Sequence, residues 1–456
     1  MKRGVKTLDN TQKEKKVEYL ELIYDLIFVY IIGRNNSLLH LQEGGFITAS
    51  ATLAYVCCTL AVIQIWNYST FYINLYGRNG VRDHVFLFGN MFLLYYMANG
   101  IGPAWKDSVY QYSAAWMCIL INIAIQHLIE TRNNRSDPAV CRQLYTTAAI
   151  LFAQTVLIAV HTVVFRLTNV PIPYVPILFG ILAIWLTGSR SAGCRVDFAH
   201  LTERAMLYIV FTFGEMIISI ASYFSEGLTF NGVYFALMAF LIVVGLFLSY
   251  ETLYNRIIDR ERKTTGLGYM LLHVFLIFAL NNISVALEFM REENVALIPK
   301  TLFLTGSFVL YYICMFLTMR FAKCRHAFGR HFLPFIILTG VTFICVMFLL
   351  RELMYANIAV TVVYIFSIWA LMYRQKHACL SITKKTQLLR GNCVFSYCIY
   401  AFFLLRALRI ALPSSKTGTV DAARAREINS SLNSSVKCAP CAASASGKNT
   451  LLRNGT

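Results

Sequence analysis

Charge is the scarcest commodity in this sequence. Asp, Glu, Lys and Arg supply 14% of its 456 residues, against about a quarter in ordinary soluble domains. A chain so poor in charge cannot coat a water-facing surface. The signatures of soluble enzymes are missing too: there is no Walker loop, no GxSxG elbow and no HExxH pair. Segments of strictly alternating polarity, which would announce a membrane β-barrel, are also missing. The first 17 residues are polar and Lys-rich, with no short apolar core followed by a small-residue cleavage site. The first apolar span is therefore expected to direct insertion itself. Acids are outnumbered, with 23 Asp and Glu against 41 Lys and Arg, a net charge of +18. No nucleic-acid motif accompanies that surplus, so it is assigned to loops and anionic lipid rather than to nucleic acid.

What remains is apolar. Hydrophobic residues make up 57% of the chain, with 33 Phe and 26 Tyr, and the mean hydropathy is +0.57. They fall in blocks of about twenty, the length that crosses a hydrocarbon core. Lipid obliges each span to satisfy its own backbone, so helices are expected. The fold class is all-α: a polytopic transmembrane bundle of about 12–13 spans. The spans read as 20–33, 46–73, 84–103, 109–130, 145–166, 173–188, 201–224, 232–252, 267–290, 300–320, 332–350, 353–373 and 393–412. The last is interrupted by Arg406 and Arg409 and lies either across the membrane or at its interface.

Loop charge gives an orientation. With connections numbered alternately from inside, 27 Lys and Arg fall on the inner side and 6 on the outer, through the twelfth span. The positive-inside rule then puts the N-terminus in the cytoplasm of a cell (plasma) membrane protein. The chain divides into a basic tail (1–17), a transmembrane domain (18–375), a basic loop with the last span (376–412) and a Ser-, Ala- and Asn-rich tail expected to be disordered (413–456). Most of the 13 Cys, such as Cys57, Cys58, Cys118, Cys314 and Cys345, sit inside apolar blocks as small hydrophobes, so no disulfide framework is expected. Cys438 and Cys441 in the tail have metal-like spacing, but one pair does not complete a zinc site. No metal or cofactor is expected.

Two groups of ionisable residues break the apolar pattern. The first is Glu21 and Asp25, four apart and so on one helix face. Like charges so placed repel, which calls for a shared proton, a cation or a basic side chain opposite. The plainer reading leaves both in the head-group zone, and it is harder to sustain for Asp25. The second is His200, Glu203 and Arg204, spaced to line one face, with Glu215 eleven residues further, close to three turns and roughly 16 Å deeper. Flanked by Phe and Ile, Glu215 reads as a mid-membrane carboxylate, with an interhelical hydrogen bond as the plainer reading. A weaker stretch, Trp66-Asn67-Tyr68-Ser69-Thr70-Phe71-Tyr72-Ile73-Asn74, followed by Arg82, reads equally as aromatic belt or cavity wall. His127, His161 and His273 are isolated and read as packing residues. Glu251 and Glu288 lie near helix ends, while Asn281 and Asn282 are deeper.

These motifs resemble a known family. Glu21-Leu22-Ile23-Tyr24-Asp25-Leu26-Ile27-Phe28-Val29 is similar to the ELFFDLVFV signature of the bacterial low temperature requirement A (LtrA) family, and His200-Leu201-Thr202-Glu203-Arg204 with Gly214-Glu215 is similar to its HLxER…GE signature. Trp66 to Asn74 with Arg82 fits the family's WxxYxxxY-type segment and following Arg. The resemblance covers roughly residues 17–375. Tyr24 replaces the usual Phe, and Met216 stands where the family often has Ser. The resemblance implies a membrane fold and singles out the same residues, but it names no substrate.

The leading expectation is a proton- or cation-coupled transporter of a small solute. Glu21, Asp25, Glu203 and Glu215 would form its path, tuned by His200 and Arg204, with Trp66, Asn67, Tyr72 and Arg82 as secondary candidates. Acidic motifs opening spans one and seven suit two parallel six-helix repeats with a site between them. The alternatives are a membrane-embedded enzyme on a lipid or isoprenoid, with His200 and Glu203 as base and acid, and a membrane-state sensor. The lipid bilayer is the one partner the sequence itself calls for.

Overall fold

A computed structural model describes residues 15–101, 105–188, 196–224, 229–292, 294–323 and 332–381. The expected span at 393–412, the Ser-rich tail and the Cys438–Cys441 pair lie outside the described residues, as does nearly all of the basic N-terminal tail.

Twelve α-helices carry the described chain: α1 (Tyr19–Asn36), α2 (Ala49–Tyr76), α3 (Val81–Asn99), α4 (Trp105–Glu130), α5 (Pro138–Thr168), α6 (Tyr174–Gly188), α7 (Phe198–Ala221), α8 (Phe230–Thr252), α9 (Leu267–Arg291), α10 (Leu297–Thr318), α11 (Phe332–Leu349) and α12 (Met354–Ser381). They coincide in order with the first twelve expected spans. Eight helical stretches are long and apolar enough to cross a membrane, and α6 and α11 contribute shorter apolar ones. Large apolar side chains remain exposed on the outer faces, among them Phe88 and Phe92 of α3, Val156 and Val160 of α5 and Leu237 and Phe240 of α8. A protein in water would pay for such surface, whereas hydrocarbon does not penalise it. The structure is that of a multi-pass integral membrane protein.

Local chemistry sets the helix starts. Asp137 accepts from the backbone N–H of Ala139 and Val140 and is followed by Pro138 at the first helical position of α5. Thr48 and Thr229 cap α2 and α8 in the same manner. Asp197 caps α7 by accepting from His200 N, so one residue both starts the helix and fixes where its first basic side chain stands. Gly266, before α9, has φ +71°, and a Cβ there would run into Leu201, so only glycine fits. Between α1 and α2 a two-stranded hairpin pairs Gln42–Glu43 with Phe46–Ile47. Its turn is Gly44-Gly45, both at positive φ.

The helix pairings occur twice. In the first half α1 packs on α2 and α3, α3 on α4, α4 on α5, α5 on α6, and α2 on α6. In the second half α7 packs on α8 and α9, α9 on α10, α10 on α11, α11 on α12, and α8 on α12. These are the same six pairings, shifted by six helices, which is the pattern of two six-helix repeats. The halves meet where α1 and α2 pack on α7 and α9.

Candidate functional site

Four ionisable side chains from opposite halves converge at that seam. Arg204 of α7 is fully buried, and so is Asp25 of α1. An Arg204 Nη2–Asp25 Oδ1 ion pair joins them. The Trp66 indole N–H of α2 donates to the same oxygen at 2.8 Å. One turn nearer the helix starts, Glu21 Oε2 lies 3.2 Å from His200 Nε2 and 3.5 Å from Arg204 Nε. Glu21 is 4% exposed and His200 0%, which removes the reading of Glu21 as a solvated helix end. The two acids share a face, and of the shared proton, cation or basic side chain that their spacing called for, basic side chains stand opposite.

The pairing follows a rule of position. Glu21 and His200 are the third residues of α1 and α7, and Asp25 and Arg204 the seventh. Contacts at a constant offset mean that the two helices run in the same direction, as parallel repeats require. Equivalent positions therefore face each other across the seam, acids from one half and bases from the other.

A surrounding shell fixes the geometry. Asn74 Nδ2 donates to Asp197 O at 2.8 Å, and Asn74 Oδ1 accepts from Asp197 N at 3.1 Å. That double link to one residue orients the amide, so its second N–H points to His200 Nδ1, 3.1 Å away. Nδ1 must then accept, which leaves the ring proton on Nε2, facing Glu21. Tyr24 and Ser69 hydroxyls pair at 2.7 Å just below. The Trp66 ring packs on Tyr208 with centroids 4.7 Å apart, and the Arg204 guanidinium lies 5.9 Å from the indole centroid. Asp25 Oδ2, Arg204 Nη1 and Tyr208 Oη are buried without a hydrogen-bond partner on the protein, so the network is not saturated from within.

Lys15 closes the end nearest the helix starts. Its Nζ donates to Gly77 O at 2.9 Å and also to Ile73 O, both at the end of α2, while its backbone N donates to Asp197 Oδ2 at 3.3 Å. Burial lowers the Lys15 ammonium from its ordinary value, against the opposing pull of Glu21, Asp83 and Asp197.

Other expected residues stand apart. Glu203 was expected to share a face with His200 and Arg204. It is instead only half-buried and takes no part in the cluster; a further turn of 100° from Arg204 carries it around the helix, within electrostatic range of Tyr254. Glu215 does face α1, but three turns on it stands against Gly33, where a Cβ would overlap its carboxylate. It is half-exposed rather than enclosed. Asn67 bonds back to Ile63 O of its own helix at 3.2 Å. Tyr72 and Arg82 belong to a second cluster. There the buried Glu130 carboxylate receives Arg82 at 2.5 Å, Arg78 at 3.2 Å and Asn133 at 2.8 Å. Arg82 also reaches Tyr72 Oη at 3.4 Å.

Two features carried no sequence signal. Glu130 ends α4 and looks like an ordinary solvated terminus, because its two arginine partners are 48 and 52 residues away in sequence. A buried relay also crosses the first half: Tyr68 Oη donates to Gln154 Oε1 at 2.8 Å, Gln154 Nε2 to Gln64 Oε1 at 2.7 Å, and Gln64 Nε2 to Ile177 O at 3.2 Å. Gly180 of α6 crosses directly over it, and a Cβ there would collide with all three side chains. Among the described residues, no three His, Cys, Asp or Glu side chains converge as a metal set.

A family model described as "Bacterial low temperature requirement A protein (LtrA)" matches residues 16–368. No curated protein and no solved structure matches the chain.

Proposed function

The chain belongs to the LtrA family, and from that premise we propose that it works as a proton- or cation-coupled transporter of a small solute. In this reading it resides in the plasma membrane with a cytoplasmic N-terminus. The excess of Lys and Arg in alternate loops supports that orientation.

One observation carries the reading: a buried ionic cluster ties together the two halves of a repeated helix bundle. Two carboxylates face one guanidinium and an imidazole whose Nδ1 accepts from Asn74. With both acids ionised and His200 neutral, these four side chains sum to one negative charge, and the Lys15 ammonium held at the end of α2 acts on it from outside the seam. In a low-dielectric seam such a charge is costly, and one bound proton or cation neutralises it. Gain or loss of that proton changes the attraction between α1 and α7, and hence between the halves. Transporters of repeated architecture alternate access by moving one repeat against the other, so the cluster sits where protonation and movement meet.

The reading as an enzyme with His200 as base and Glu203 as acid has less support. His200 Nε2 faces Glu21 Oε2 at 3.2 Å inside the buried seam, and Glu203 stands outside the cluster.

The test is proton movement in proteoliposomes carrying a trapped pH dye. An imposed gradient is expected to drive proton entry in the presence of a transported solute, found from a panel of organic acids, amines and sugars. Asp25→Asn is expected to abolish that coupled entry. Unchanged coupled entry in Asp25→Asn would remove the cluster from the mechanism.

A further inference from the structure

The segment from Trp66 to Tyr76 has two working faces. Trp66, Ser69 and Asn74 turn toward the ionic cluster. Tyr68, Phe71, Tyr72, Leu75 and Tyr76 turn the other way and line a cavity of about 760 Å³. That volume falls in the range of small-molecule sites. The cavity lies among α2, α4, α5 and α6, and its far wall includes Val196 and Leu267 of the second half. It does not include the cluster. A single helix segment separates the two.

The lining has a direction. The α2 wall is aromatic, with Tyr68 leading to the Gln64–Gln154 relay. At the other end stands the start of α5, with Asp137, Arg142, Gln143, Thr146 and Thr147. The Asp137 carboxylate caps α5, so its charge is directed at the helix N-terminus. Arg142 is exposed. Of the two oppositely charged residues in the lining, Asp137 is engaged at the helix start, so Arg142 is the charge this mouth offers to a ligand.

We propose that this cavity binds an amphipathic anion, its apolar body against Tyr68, Phe71 and Tyr76 and its carboxylate- or phosphate-type head at Arg142. As an assignment of the carried solute, this rests on the transporter reading. As a binding site, it stands on the cavity and its charge alone. The same chemistry is offered by a soluble aromatic or fatty acid and by an anionic lipid.

The full-length protein in a neutral detergent would be titrated with 2-naphthoate and with its uncharged analogue 2-naphthylmethanol, reading the thermal unfolding midpoint. Naphthoate is expected to raise the midpoint and naphthylmethanol to bind about ten-fold more weakly, the loss of one charge-assisted contact. Arg142→Gln, at an exposed position, is expected to erase the difference between the two. Thr147→Trp, which fills the cavity, is expected to erase both shifts while the unliganded midpoint stays near that of the wild type. Native mass spectrometry of protein released from phosphatidylcholine discs doped with phosphatidylglycerol identifies the source. Retained phosphatidylglycerol that disappears in Arg142→Gln marks a lipid, and a naphthoate shift without retained lipid marks a soluble acid.

Equal shifts by both naphthyl compounds, or full shifts in Thr147→Trp, would overturn the proposal, as would no shift and no retained lipid. Binding without coupled proton entry would leave the site standing and remove the transporter reading. Coupled entry that depends on Asp25 but not on Arg142 or Thr147 would leave the transporter reading standing and overturn the cavity as the site of the carried solute.

Discussion

Asp25 and Arg204 pair across 179 residues of sequence, and Glu21 and His200, in contact one turn away, occupy the matching positions of the same two helices. Two parallel helices place equivalent positions side by side, and here the first half supplies acids where the second supplies bases. Arg204→Met leaves Asp25 enclosed without its cation, a loss of about 3–5 kcal/mol for a buried pair. The double variant Asp25→Asn, Arg204→Met is expected to recover most of it. Thermal unfolding in detergent of both singles and the double gives the coupling. Strictly additive losses would show that the two side chains do not depend on each other.

The Asn74 amide dictates which ring nitrogen of His200 holds the proton. Asn74→Asp puts an acceptor where a donor stood, so Nδ1 is expected to become protonated as well. Nitrogen NMR of histidine-labelled protein reads this as conversion of one ring from a neutral to a doubly protonated signature. A spectrum unchanged from the wild type would refute the tautomer assigned to His200.

Gly180 is required by the relay it crosses. Gly180→Ala is expected to cost about 1–3 kcal/mol, the usual scale of overpacking. Gly306→Ala serves as the control, because a Cβ at Gly306 meets nothing within 4 Å. There the better helix propensity of alanine is expected to stabilise by up to about 1 kcal/mol. The two midpoints should move in opposite directions; a neutral Gly180→Ala would mean that the relay is loose.

At the other end of α1, on the turn that follows it, His40 Nε2 stands 3.4 Å from Glu288 Oε2 of α9. The nearby carboxylate raises the imidazole above its ordinary value, against partial burial. A raised folded value means that this contribution is fully present below the unfolded histidine value, about 6.5, and is lost as pH rises through the folded value. With His40 45% exposed, solvent screening limits it to below about 1 kcal/mol. The midpoint difference between wild type and Glu288→Gln is therefore expected to shrink from mildly acidic to alkaline pH. A difference that grows with pH would reverse the assignment.

Glu203 and Glu215 separate sequence spacing from structural partnership. Both carry a family motif, and neither joins the cluster. Glu203→Gln is expected to change stability by less than about 0.5 kcal/mol, as for surface substitutions. A loss comparable to that of Arg204→Met would place Glu203 in the network after all.

The sequence by itself determined the twelve helices, because crossing hydrocarbon demands uninterrupted apolar blocks and lipid forces each to satisfy its own backbone. It also exposed Glu21, Asp25, His200 and Arg204, since charge inside an apolar run stands out without any partner in view. Partnership was another matter. The i, i+3 spacing put Glu203 on the face of His200 on paper, yet only the packing of α1 against α7 decides which flank of the helix looks into the seam. Glu130 and the Gln64–Tyr68–Gln154 relay left no local trace, because their partners come from helices distant in sequence. The two faces of Trp66–Tyr76, one toward the ionic cluster and one toward the cavity, likewise exist only once α6 and α7 stand on opposite sides of α2. Local chemistry writes the helices, and the long-range contacts that convert scattered charge into a site belong to the tertiary structure.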